Sequence, residues 1–471
     1  MAKTKNADPQ ERLRELGNAP VGKLLLKYSL PAVVGTVISA VYNIIDSIVI
    51  GHAIDDPNVV SGIAVTFPVM NLVTALGMLI GAGAATRVSI VMGQNDRRVA
   101  EIILGNCVQL TLIIGFLYAL TFAIFMDPIL RAFGASPNSL PYAREFMLWV
   151  LPGCVLMNLT FSYNNVMRAS GYPAKAMYTN IIGALLNCIL APLFLFGFKW
   201  GIRGAAIATD ISMTVTAIWV MSHFFNKNNT LHFVRGTFKF NWPIIRGVLY
   251  IGMAPFLINV CGSMINAIVN NTLLSYGGDN AIAAVVVFNR YVTIFVFIII
   301  GICQGMQPII GYNYGSGRFK RLLHTFLLAA TTGVVVSSIG SLVGSLNPRA
   351  IASMFMQDEA QIQCAIRCLK ITTMTFWVVG LQIVTTNFFQ ALGMAGKSVF
   401  LSLTRQMIFM VPLLFILPRF WQLDGVWASY PVSDVLSTIV AILMLITQMK
   451  KIREKAKLHP EETQAQVEHD M

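Results

Sequence analysis

In the stretch YNIIDSIVIG, residues 42 to 51, a single carboxylate, Asp46, stands among residues that are apolar or small enough for a hydrophobic helix. No basic residue lies near it in sequence. A carboxyl group so placed can hold a proton or a cation, and its charge then depends on what is bound. Few other groups in the chain offer chemistry. None of the six histidines lies deep in an apolar run, and no HExxH, nucleotide-binding glycine-rich loop or GxSxG elbow occurs. The seven cysteines are odd in number and lie mostly within apolar runs, which suggests neither a disulfide framework nor a zinc knuckle. Cys364 and Cys368 share a helix face, where packing is the simpler reading. An enzyme or an ATP-driven pump has no support in these residues, and no cofactor is expected.

The elements that must position Asp46 follow from composition. With 56% hydrophobic and 12% charged residues and a mean hydropathy of +0.67, the chain lies far from the averages of soluble domains and reads as a polytopic membrane protein. Crossing about 30 Å of hydrocarbon takes about 20 helical residues. Apolar runs of that length lie near 28–50, 62–86, 102–126, 145–167, 175–198 and 204–225, then near 247–275, 281–311, 322–346, 366–390, 398–417 and 425–447. The runs are continuous rather than alternating, and unpaired backbone cannot face lipid, so they are helices and not barrel strands. The expected fold is all-α with twelve transmembrane helices. The polar start MAKTKNADPQERLRELG lacks a cleavage site and the first run is too long for a signal peptide, so the first helix is expected to be retained.

Lys and Arg set the orientation. Of the 34, 24 fall in the two tails and alternate loops on one side, 6 on the other side, and four (Arg290, Arg367, Lys370 and Arg405) within helices. The positive-inside bias places both termini in the cytoplasm of a multi-pass protein of the cell inner (plasma) membrane. The net charge of +13 is thus a topology signal, and no nucleic acid partner is expected.

Sliding the second half of the chain over the first reveals a repeat at an offset of 222. RASGYPAKA (168–176) falls on QALGMAGKS (390–398), MGQNDRR (92–98) on YGSGRFK (314–320), and Phe133 on Phe355. With small slips, Pro31 meets Pro255, Pro192 meets Pro412, and GAAIA (204–208) meets GVWAS (425–429). Six crossings per half make these parallel repeats about an axis along the membrane normal. The expected organisation is a cytoplasmic N-terminal segment (1–27), an N-lobe (28–225), a basic linker (226–246), a C-lobe (247–447) and a polar tail (448–471), with a central cleft.

At this point the sequence resembles a known family. KLLLKYSLPAVVGTVISAVYNIIDSIVIG, the MGQNDRR turn, RASGYPAKAM, NCILAPLFLFG followed by GIRGAAIAT, and CQGMQPIIGYNYGSG are similar to multidrug and toxic compound extrusion (MATE) transporters, from about residue 20 to 450. The resemblance implies two six-helix lobes in a V, alternating access by rocking, and export of organic cations in exchange for H⁺ or Na⁺. It also implies an ion or proton site at an Asp of the first helix, an Asn of an N-x-x-x-D-P pattern in the fifth and a Thr of the sixth. Asp46, Asn187 and Thr209 match those positions.

Depth agrees with that grouping. Asp46 is about five residues below its helix end, Asn187 about eleven and Thr209 about five, so all three can meet in the outer half of the first lobe. A helix-end carboxylate reaching the interface is the alternative for Asp46, because charge costs less there than at the bilayer centre. In NCILAPLF the second carboxylate of the family pattern is Ala191. That weakens a sodium cage, since Na⁺ wants several oxygen ligands, and favours H⁺, with Na⁺ at Asp46 the other occupant. Asp210 is a further candidate for coupling, although adjacent helical residues point about 100° apart. Asn270 falls on Asp46 in the second half, and the seventh and tenth runs hold no acid, so coupling is expected in the first lobe alone.

In the second lobe Arg290 and Asp434 share a depth and are expected to pair, or each to face a water-filled cleft. The cleft should take large amphipathic small molecules, for which Met and aromatic side chains suit. Phe67, Met70 and Asn71 in the second run and Met157, Phe161 and Tyr163 in the fourth are candidates, with Arg290; core or lipid contact is the alternative for each. The expected activity is ion-coupled multidrug efflux by a monomer, the type of transport that underlies antibiotic resistance. A flippase or exporter of a lipid-linked or other amphiphilic metabolite is the second reading, although it would call for several basic residues in the cleft. The loop asymmetry predicts that single cysteines at Pro57 and Gly278 label from outside intact cells, and ones at Asn95 and Gly317 only after permeabilisation; the reverse pattern contradicts the orientation.

Overall fold

The computed structural model describes residues 9–53 and 57–458. Every regular element among them is helical. Six spanning helices make up the first half: α1 (Val21–Ala53), α2 (Pro57–Gly93), α3 (Arg97–Ala132), α4 (Leu140–Ala169), α5 (Pro173–Pro192, continued by a π-helical turn Leu193–Gly197) and α6 (Gly201–Phe225). A continuous run, Trp242–Gly315, follows with 74 residues. At 1.5 Å per residue it would be about 110 Å long, several times the hydrocarbon. It is divided at Gly278, whose φ of 62° and ψ of −158° are open to glycine because no Cβ opposes them. The two pieces are α7 (242–277) and α8 (279–315).

The second half continues with α9 (Phe319–Leu346), a bent α10 (Glu359–Thr373 and Phe376–Ala391, 52° apart), α11 (Ala395–Ile416, with a π-helical segment Thr404–Met410) and α12 (Pro418–Leu458). The twelve apolar runs of the sequence are therefore twelve helices among the described residues. Their ends differ from the runs where charge is tolerated. The tenth helix begins seven residues before its run, because the Asp358 side chain caps it by accepting from the Ala360 backbone N–H at 3.1 Å. The polar tail expected from residue 448 is still helical to Leu458.

The chain forms two compact units, residues 1–16 with 34–256 and residues 17–33 with 257–471. They differ from the expected lobes at α1 and α7, each of which divides between the units near its proline, Pro31 or Pro255. Glycine explains how the split halves are held. In the first unit, a Cβ on Gly83 of α2 would strike the Val248 carbonyl, and one on Gly252 of α7 the Leu79 carbonyl. In the second unit, Gly301 and Gly305 of α8 meet the Val33 and Ser29 backbone of α1 in the same way, and the Ser29 hydroxyl donates to the Ile302 carbonyl at 3.4 Å. Such small-residue crossings are how membrane helices gain contact when lipid is as apolar as any side chain.

Each unit has its own core, and the two cores use equivalent positions. Ala143, Met147 and Ala205 are buried in the first, and Ala365, Leu369 and Val426 in the second. The basic stretch after α6 is packed onto the first unit. The Asn106 amide donates to the Lys239 carbonyl at 3.0 Å and its oxygen accepts from the Asn241 N–H at 2.9 Å, while Gln109 donates to the Phe238 carbonyl at 2.6 Å.

Candidate ion and substrate sites

The fifth and sixth helices bring two of the expected residues together. The buried Asn187 amide of α5 donates to the Thr209 hydroxyl of α6 at 3.1 Å, and that hydroxyl donates in turn to the Ala205 carbonyl one turn back at 3.0 Å. Tyr42 of α1 lies near Thr209 and within electrostatic reach of Asp46 and Cys188. Asp46 follows Tyr42 by four residues, so the phenol and carboxylate lie on one helix face. The result is a polar patch on three apolar helices: carboxylate, phenol, hydroxyl and amide. Among the described residues no basic side chain forms an ion pair with Asp46. A proton or a bound cation is then what can balance its charge.

Ala191, one turn beyond Asn187, is buried with Phe194 and Ala208, so this side of the patch is apolar and supplies no oxygen. Among the described residues no group of three or more His, Cys, Asp or Glu is placed to hold a metal ion. Asp210 does not join the patch. Its neighbour Thr209 faces α5, whereas the Asp210 carboxylate presses on Gly153 of α4, at the place a Cβ would fill. The helical step of about 100° separates the two.

In the second unit the expected Arg290–Asp434 pair is replaced by another. Arg405 Nε of α11 donates to Asp434 Oδ1 of α12 at 2.7 Å, and Arg290 is exposed on α8. The π-helical segment accounts for the exchange: it widens the turn that carries Arg405, whose carbonyl accepts from the Ser433 hydroxyl at 2.7 Å. Depth alone could not distinguish two arginines at similar levels, because it leaves rotation about the helix axis open.

The cleft candidates separate by face. Phe67 and Asn71 are exposed on one side of α2. Met70 and Met157 pack against the buried core of the first unit, with Met70 Sδ 4.0 Å from Cys154 Sγ, and Phe161 lies on Gly77. Tyr163 is not a cleft residue: it is fully buried, donates to the Leu104 carbonyl at 2.5 Å and meets the Phe224 ring edge-on at 5.2 Å. Six residues past Met157, it lies about 240° around the helix, on the core face. Tyr42 is the site residue that sequence reasoning missed, and its four-residue spacing from Asp46 was the signal for it.

The fold and these sites define a polytopic membrane protein of two repeated six-helix halves with polar patches inside its spans. The chain belongs to the MatE family, whose model matches it twice, at residues 31–193 and again at 255–416. It is similar to the Multidrug export protein MepA of Staphylococcus aureus (strain NCTC 8325 / PS 47), at 27% identity over 92% of this chain and 96% of that protein. The MepA of Staphylococcus haemolyticus (strain JCSC1435) is 26% identical over 95% and 98%. Among solved structures, a crystal structure of MATE in the bent conformation matches with a TM-score of 0.89 and 22% identity, covering 96% of this chain and 100% of that one. One in the straight conformation matches at 0.88 and 22%, covering 93% and 98%.

The ion pair of the second unit yields a test by double-mutant cycle. Removing one partner of a buried pair leaves a charge that nothing answers, at a cost of about 3 kcal/mol. Asp434→Asn and Arg405→Gln are each expected to lower the thermal transition in detergent, and the double mutant to recover a coupling of about 1–2 kcal/mol. Arg290→Gln should show no coupling to Asp434; coupling there with strict additivity at Arg405 contradicts the pairing.

Proposed function

We propose that this chain is a secondary active exporter of amphipathic organic cations, working by proton antiport through alternating access in the cell inner membrane with both termini in the cytoplasm. The observation that carries the proposal is the polar patch of Asp46, Tyr42, Asn187 and Thr209, a carboxylate among hydroxyl and amide groups with no basic partner among the described residues. The family membership and the similarity to proteins named as multidrug exporters support the transport reading.

The chemistry asked of the patch is modest. Protonated Asp46 is neutral and can donate to a neighbouring oxygen; ionised Asp46 can only accept. The hydroxyls of Tyr42 and Thr209 can serve either form by rotating, so one group of residues can stabilise two hydrogen-bond arrangements. If the two arrangements suit different packings of α1, the proton gradient biases which side the cleft faces, and drug and proton need not touch. A proton needs one carboxyl, whereas Na⁺ needs several oxygens, and the apolar Ala191 removes one of them. Helices α7 and 360–391 of α10 contain no acid, so coupling is assigned to the first half. The moving bodies are taken as residues 28–225 and 247–447, joined by 226–246, and the transporter as a monomer. Phe67, Met70, Asn71, Met157 and Phe161 are assigned to the substrate cleft, and Asp210 to a reserve role in coupling.

Uptake of a fluorescent organic cation into everted vesicles, energised separately by ΔpH and by ΔpNa, tests this. Wild type is expected to respond to ΔpH alone. Asp46→Asn should lose at least tenfold of the driven rate while keeping expression and cation binding, and Asn187→Ala and Thr209→Ala should lose less. Near wild-type export by Asp46→Asn, or export driven by ΔpNa at uniform pH, contradicts the assignment.

A further inference from the structure

Each half of the molecule carries a charged cavity at the helix ends remote from the basic loops, and the coupling site uses neither. In the first unit a cavity of about 470 Å³ lies between the ends of α3, α4 and α6, lined by Asp127, Arg144, Glu145, Trp149 and Arg203. Arg203 is ion-paired with Glu145, and Arg144 Nη1 is 3.6 Å from Asp127 Oδ2. The other Asp127 oxygen is buried without a hydrogen-bond partner. In the second unit a cavity of about 620 Å³ lies between α10 and α12, lined by Arg367, Lys370, Asp424 and Trp421. Arg367 is ion-paired with Asp424.

The two cavities are equivalent in the repeat. The offset of 222 carries Glu145 onto Arg367, and the match of GAAIA with GVWAS carries Arg203 onto Asp424. The same two helices of each half are bridged at the same place, with the polarity of the bridge reversed. What the halves share is therefore not a charge at one position. It is a bridged pair, a second base beside it (Arg144 or Lys370), and an indole at the rim, with Trp149 and Trp421 both exposed.

That combination fits one chemical class. Two bases suit a phosphate diester, an acid beside them suits an ammonium group, and a Trp at a span end marks the headgroup level of a bilayer. Leu148, exposed next to Trp149, continues the first cavity towards the acyl region. The geometry points to a phospholipid headgroup site in each half, selective for a zwitterionic phosphoethanolamine lipid of the leaflet opposite the basic loops. Arg144 with Arg203, or Arg367 with Lys370, holds the phosphate. The unpartnered Asp127 oxygen, or Asp424, takes the amine. The leaflet rests on the proposed orientation; the binding itself does not.

Native mass spectrometry of the purified full chain tests this independently of transport. Dioleoyl-phosphatidylethanolamine, -phosphatidylglycerol and -phosphatidylcholine are offered in competition. Wild type is expected to retain two phosphatidylethanolamines, one per cavity. Arg144→Gln and Lys370→Gln, which leave both bridges intact, should each retain one and the double variant none, with unchanged thermal transitions in detergent alone. Equal retention of phosphatidylglycerol overturns the role of the acids, and two lipids on the double variant overturn the sites. If wild type retains none of the three lipids offered alone but binds millimolar O-phosphoethanolamine, the cavities belong to a free phosphate ester and the lipid assignment is contradicted.

Discussion

Hydrocarbon cannot solvate a charge, and every ionisable group that the chain carries into its spans must be answered from within the protein. The three carboxylates considered for the spans have three different surroundings. Asp434 has an arginine at 2.7 Å, a permanent counter-charge that makes it part of the packing between α11 and α12. Asp210 rests on Gly153, and its Oδ1 is buried without a hydrogen-bond partner. Asp46 has neighbours that are polar but neutral, Tyr42 and Cys188. Like Asp210, and unlike Asp434, it has no ion pair among the described residues. The coupling role proposed for Asp46 rests on the polar, neutral groups beside it rather than on depth in the membrane.

The scaffold around it is assembled by backbone proximity. Glycines at 83, 252, 301 and 305 let the backbones of crossing helices approach where any Cβ would collide. These crossings hold one half of α1 and one half of α7 in a different unit from the rest of the helix. Pro31 and Pro255 lie near the divisions, where a missing N–H weakens the helical ladder. Asp46 and Tyr42 are on the part of α1 that belongs with α5 and α6. A change in their hydrogen bonding therefore acts on a helix whose other end is fixed elsewhere.

Much of this was legible in the sequence. Span length, composition and the repeat depend on summed hydropathy and on matched segments, and both survive local irregularity. The Asn187–Thr209 contact was legible because two antiparallel neighbours with a short connection fix relative depth. Rotation was less accessible. Tyr163 is fully buried whereas Met157 and Phe161 are only partly so, a difference of rotation that depth does not register. Arg405 took the place of Arg290 because a π-helical segment shifts the register of α11, and no residue pattern marked that segment beforehand. The division of α1 and α7 depends on glycine contacts between segments far apart in sequence, which hydropathy does not register. The family model's two separate matches agree with the repeat but are equally silent on that division.

The central claim is that substrate binding and the proton on Asp46 are linked, and linkage is reciprocal. The most direct measurement is proton release in detergent: purified protein in weakly buffered solution near neutral pH receives an organic cation such as tetraphenylphosphonium, and a pH dye reports the exchange. The account predicts about one proton released per bound cation in wild type and none from Asp46→Asn that still binds it. Equal release from Asp46→Asn, or binding by wild type without release at any pH tested, would contradict it.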